Sequence, residues 1–136
     1  MRYIPLVAVF LLGAFANMGR GQDVAVIDAL KGYVEKGLSN GREAVPKVIP
    51  WVKNENETVA VKSIDLLSTI GQKLKLVDDD KAADELRAKT GKAFIRAEKD
   101  KREPVAKAAK EALPKIATAK EIERWRKEVV EADKDK

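Results

Sequence analysis

The sequence predicts an all-α protein: one domain of about four to five amphipathic, antiparallel helices with a proline-kinked connector, preceded by a cleaved signal peptide. Three observations carry this. Beyond the first twenty-one residues glycine and proline are sparse and Ala, Lys, Glu and Leu dominate, so helix propensity is favourable over long windows. Apolar residues recur at steps of three and four along most of that region, the period of a helix with one buried face. The chain has no cysteine, so a domain of about 115 residues must be held by core packing, or by a partner, rather than by disulfides.

The leader comes first. Arg2 precedes the apolar run Ile4 to Ala16 (IPLVAVFLLGAFA), and small and polar residues follow through Gln22. Charge, short apolar core and small-residue exit, in that order, are the parts of a secretory signal peptide. As a helix the run would cover about 20 Å, short of the roughly 30 Å hydrocarbon core that a membrane anchor must cross. Small residues allow cleavage after Ala16 or after Gly21. The second is preferred, giving residues 1–21 as signal peptide and 22–136 as the helical domain, with Gln22 able to cyclise.

In the first helix Val24, Ile27, Leu30, Val34 and Leu38 keep helical spacing, and Val26 and Tyr33 widen the stripe. Ser39-Asn40-Gly41 predicts its end, because Asn and Gly tolerate a positive φ. In "REAVPKVIPWVKN" the residues Val45, Ile49 and Val52 continue the period although Pro46 and Pro50 interrupt it, which predicts a short kinked connector with Trp51 folded onto the core.

The central helix is read from Ala60, Ile64, Leu67, Ile70, Leu74 and Val77, broadened by Val59 and Leu66. Asn54 with Glu57 three residues on has cap-and-return spacing and predicts the helix start at Asn54. Gly71 in its interior costs roughly 1 kcal/mol relative to alanine, the mark either of a close helix crossing or of a tolerated weakness. Asp78-Asp79-Asp80 heads the next helix, where carboxylates accept from free N–H groups. That helix carries a thinner stripe: Ala83, Leu86, Ala93, Phe94 and Ala97.

Glu103-Pro104 opens a further helix with Val105, Ala109, Leu113 and Ile116 inside, and Pro114 is expected to break or bend it. Thr118 and Glu121 have capping-box spacing, which starts a last helix that buries Ile122, Trp125 and Val129.

Several kinds of chemistry are excluded by composition. Histidine and cysteine are both absent, which removes Ser-His and Cys-His nucleophiles and the ordinary zinc and haem ligands. There is no glycine-rich phosphate loop. No catalytic residue, cofactor or metal ligand is therefore assigned, and the chain is read as non-enzymatic. Asp78-Asp79-Asp80 with Asp84 and Glu85 lacks the alternating ligand spacing and central glycine of an EF-hand loop. Loss of the leader removes Arg2 and Arg20 and no acid, leaving 25 of the 27 basic groups against 22 acidic ones. Because these are interleaved rather than gathered on one stripe, nucleic acid is not the expected partner.

What remains positive is modest. Asn56-Glu57-Thr58 matches the acceptor pattern for an N-linked glycan, which a secretory route would make accessible. Tyr33, Trp51, Phe94 and Trp125 are the candidate lining of an apolar pocket. Lys101-Arg102 between two helices is a possible dibasic processing site. The expected role is a secreted, extracellular protein that binds a macromolecular partner through its helical surface. The alternative is a carrier or surface binder of lipids or other apolar ligands, opening its helices in the mode of an exchangeable apolipoprotein although no motif of that family is present. A weaker alternative is a precursor of a membrane-active peptide; Glu121, Glu123, Glu128 and Glu131 dilute the positive charge such a peptide needs.

Overall fold

The long apolar stripe of the central segment does become the centre of the molecule. In the computed structural model, which describes residues 15–77 and 79–134, six α-helices and one 3-10 segment are present and no strand occurs among those residues. The helices are α1 (Phe15–Lys36), α2 (Leu38–Val48), α3 (Glu57–Lys75), α4 (Lys81–Ala97), α5 (Glu103–Ile116) and α6 (Ala119–Lys134), with the 3-10 segment Ile49–Lys53 between α2 and α3. Residues 1–14 of the predicted leader lie outside the described residues. Residues 15–21 belong to α1, which runs through both predicted cleavage points.

Helix α3 buries Val59, Ala60, Ile64, Leu66, Leu67, Ile70 and Leu74 and packs against α1, α2, the 3-10 segment, α4 and α5. Val77 is only half-buried, just beyond the end of the helix. On one side, α1 contributes Ile27 and Val34 and α2 contributes Ala44, Val45 and Val48. On the other, α4 and α5 pack on α3 and on each other, and α6 reaches only α4 and α5 among the described residues.

Three boundaries differ from the sequence reading. The first helix does not stop at Ser39-Asn40-Gly41: it ends at Lys36, Gly37 takes an extended backbone, and those three residues lie inside α2. Gly41 is buried there without a positive φ, and a Cβ on it would make ordinary contacts of 3.5 Å with Val34 and 3.6 Å with Ile70, so neither a turn nor crowding calls for glycine at that position. The helix start assigned to Asn54 falls two residues later, at Asn56, whose Oδ1 accepts from Thr58 N at 2.9 Å and Val59 N at 3.3 Å. Asn54 holds the approach instead, its Oδ1 accepting from Asn56 N at 2.8 Å. Pro114 does not break α5, which continues to Ile116. The proline's missing N–H leaves the Lys110 carbonyl without its helical donor, a loss of one bond within two residues of the helix end.

The connector is more ordered than a kink. Pro46 is accommodated within α2, and Pro50 sits in the first turn of the 3-10 segment that continues directly from α2. Trp51 there is partly buried against the core, as expected.

Gly71 marks a close crossing. A Cβ at that position would come within 2.6 Å of Ile116 Cγ2 and 3.0 Å of Ile116 Cβ, so α3 and α5 meet backbone to side chain with no room between them. Gly91 does the same for α6: a Cβ there would overlap the six-membered ring of Trp125. The capping box of α6 is formed, with Thr118 N donating to Glu121 Oε1 at 3.0 Å and Glu121 N donating to Thr118 Oγ1 at 3.2 Å.

Candidate functional site

The four aromatic residues offered as a pocket lining are dispersed. Phe94 and Trp125 are fully buried core residues, Trp51 is partly buried, and Tyr33 is 52% exposed on the outer face of α1. Tyr33 lines a shallow depression with Leu30, Asn40, Glu43, Ala44 and Lys47. No described cavity is bordered by two of the four.

Around Trp125 lies the most polar part of the interior. Arg87 and Gly91 are one turn apart on α4, so the indole rests on the glycine while the guanidinium stands 5.9 Å from the ring centroid. Arg87 donates in a fork to Glu121, Nη1 to Oε1 and Nη2 to Oε2, both at 2.7 Å, and Nη1 also donates to the Ile116 carbonyl at 3.0 Å. Its bond with Glu121, reinforced by a longer one to Asp84, raises its pKa while burial opposes. The same bond pulls the Glu121 carboxyl down to about 2, with burial opposing and the Thr118 N–H assisting. Arg87 Nε and Trp125 Nε1 are buried without a hydrogen-bond partner. Every other polar atom of this cluster is spent on joining α4, the end of α5 and α6, which defines a structural staple. Sequence reasoning missed it because Arg87 lies among surface-like charges; the capping-box Glu121 was its one legible half.

Asn56 stands half-exposed at the entrance of α3 and Thr58 is exposed. The cap uses Oδ1 alone, leaving Nδ2, the atom that carries an N-linked glycan, out of the cap. Lys101-Arg102 is a different case. Lys101 is exposed, but Arg102 donates to the Asn54 carbonyl at 2.7 Å and forks to Asp100, and it is the residue immediately before α5. A protease seeking an extended dibasic segment meets a guanidinium tied across two loops.

In the acidic run, Asp78 lies outside the described residues. Asp79 takes a positive φ of 53°. Asp80 caps α4 by accepting from Ala83 N at 3.0 Å and pairs with Arg42 at 2.6 Å, and these partners lower its pKa. Among the described residues no group of three or more acidic side chains is placed to hold a metal ion, and no helix is long and apolar enough to cross a membrane.

Charge on the surface is arranged between helices more than along them. Lys92–Glu128 at 2.7 Å, Arg96–Asp133 at 3.2 Å and Arg126–Glu98 at 2.6 Å run between α4 and α6, and Lys31–Asp65 at 2.9 Å joins α1 to α3. Each exposed pair of this kind contributes at most about 1 kcal/mol.

A groove of about 540 Å³ lies between the 3-10 segment and the end of α4. Ile49, Pro50, Val52, Ala93 and Ala97 give it apolar walls, and Lys53, Arg96, Lys99 and Asp100 edge it. The two alanines, four residues apart on one face of α4, leave the space that larger side chains would fill.

No family model, no curated protein and no solved structure matches the chain.

Proposed function

We propose that the chain is a secreted, non-enzymatic helical protein that acts in an extracellular fluid or secretion by binding a macromolecular partner on its helical surface. The observation that carries this reading is the leader pattern, Arg2 followed by the apolar run Ile4–Ala16 and a small-residue exit. The lack of histidine and cysteine, which removes the usual nucleophilic and metal chemistry, supports the non-enzymatic half. Asn56 is the proposed glycan acceptor, presented at the start of α3.

Burial favours a protein partner over the reading as a surface binder of lipid. To lie on lipid the helices must separate and turn their apolar faces outward, and here Phe94 is 0% and Trp125 is 1% exposed, the latter held by the Arg87–Glu121 fork. The reading as a precursor of a membrane-active peptide is disfavoured by the engagement of Arg102 with Asn54 and Asp100.

The test is expression of the full chain in a eukaryotic secretory host. The expected product is in the medium, begins at Asn17 or Gln22, loses mass on glycosidase treatment, and runs as one species uncut at Arg102. A chain retained inside the cell with Met1 intact defeats the reading. Co-flotation of the secreted form with phospholipid vesicles, with a changed helical spectrum, transfers support to the lipid binder.

A further inference from the structure

The groove beside the 3-10 segment has a chemistry of its own. Its volume of about 540 Å³ lies within the several hundred cubic ångströms usual for small-ligand sites, which are mostly apolar with a few convergent polar groups. The charges on its edge are unbalanced. Asp100 is neutralised by Arg102 at 2.9 Å, and Arg96 leans away to Asp133 at 3.2 Å. Lys53 and Lys99 are exposed, and among the described residues no carboxylate pairs with either ammonium group. Two unpaired cations beside an apolar trough are complementary to a molecule with one anionic head and a short apolar body. The α4 residues that line the trough run from Ala93 to Ala97, about 6 Å of helix, which suits a compact ligand better than a docked helix. Its concave shape excludes a bilayer surface.

We propose that this groove binds a free medium-chain carboxylate, the head held at Lys53 and Lys99 and the chain lying on Val52, Ala93 and Ala97. The site does not depend on the chain having a macromolecular partner, and it leaves the core closed.

The probe is decanoate, titrated into the full secreted chain and followed by backbone amide shifts, with decanol as the uncharged control. Saturable shifts confined to residues 49–53 and 93–100 are expected, with decanol binding at least about ten-fold more weakly. The double variant Lys53→Glu/Lys99→Glu, on two exposed residues that leave the fold intact, weakens decanoate at least about ten-fold and leaves decanol unchanged. Ala93→Leu, which fills the partly exposed floor, weakens both. Absence of shifts at millimolar decanoate, equal affinity for decanol, or indifference to charge reversal each overturns the proposal. Shifts spread through all six helices with loss of the buried Phe94 and Trp125 signals also overturn it, since they mean that the molecule opens onto the amphiphile.

Discussion

Asn56 serves the fold with one atom and presents another to solvent, so its two roles separate by mutation. Asn56→Ala removes both the cap and the acceptor and should cost about 1 kcal/mol. Asn56→Asp keeps an oxygen for the N–H groups of Thr58 and Val59 and should be close to wild type in stability while losing any glycan. Thr58→Ala, which contributes only its backbone N–H to the cap, should do the same. Urea denaturation of unglycosylated protein with glycosidase-resolved mass of secreted protein checks all three; a stability loss in Thr58→Ala equal to that in Asn56→Ala would show that the cap is assigned to the wrong group. The glycines give a second residue-scale contrast. Gly32 lies within α1 and nothing would stand within 4 Å of an added Cβ, so Gly32→Ala should stabilise by up to about 1 kcal/mol through helix propensity. Gly91→Ala gains the same propensity but drives a methyl into the Trp125 ring, and should destabilise by about 1–3 kcal/mol. Thermal melts of the two variants should therefore move in opposite directions.

At the scale of elements, α6 is the instructive case. Its apolar anchors are few, Trp125 and Val129 with Ile122 half-buried, and its start is fixed by Glu121 bonding Thr118 on one side and Arg87 on the other. Because the folded Glu121 carboxyl titrates at about 2, below its ordinary 4.5, the contribution of the fork is complete above pH 4.5. It declines as pH falls from there towards 2, as the proton binds the unfolded chain first. Glu121→Gln should cost about 1–3 kcal/mol near pH 7, with the gap to wild type closing by pH 2. Asp80, Asp100 and Glu128 are lowered too, so both proteins weaken in acid, and the difference between them is the quantity to follow, by urea titration at three pH values with tryptophan signal. A gap that stays constant with pH would remove the fork from the account. The helices themselves were legible wherever apolar spacing was strong: every α3 residue from Ala60 to Leu74 in the predicted stripe is buried, as are Val105, Ala109, Leu113 and Ile116 of α5. Boundaries were less so, because Gly41 carries turn chemistry that α2 leaves unused and the cap expected of Asn54 is made by Asn56. The Arg87–Glu121 staple was illegible for a different reason: a buried guanidinium looks like any surface arginine until its partner, thirty-four residues on, is placed beside it. The groove likewise needs two distant segments, and nothing in the spacing of Ala93 and Ala97 says which element will face them.

For the whole molecule, the pattern of packing predicts an order of opening. Helix α3 touches every other element except α6, whereas α1 reaches only α2 and α3, and α6 reaches only α4 and α5 among the described residues. Separating α6 exposes one tryptophan and one valine of the fully buried set, while separating α3 exposes seven apolar side chains and disrupts both sides of the core. Local opening free energy follows the apolar surface that each opening uncovers. Amide hydrogen exchange at pH 7 should therefore be slowest in α3 between Leu66 and Ile70, at the rate of global unfolding, and fastest among the helices in the peripheral α1 and α6. Uniform protection across all six would mean a single cooperative unit with no peripheral helix. The same measurement bears on the choice between a partner-binding surface and a lipid binder. With the core closed around Phe94 and Trp125, added phospholipid vesicles should leave the α3 pattern unchanged; accelerated exchange across α3 and α4 together is the signature of helices parting to cover lipid, and would reverse the preference argued from burial.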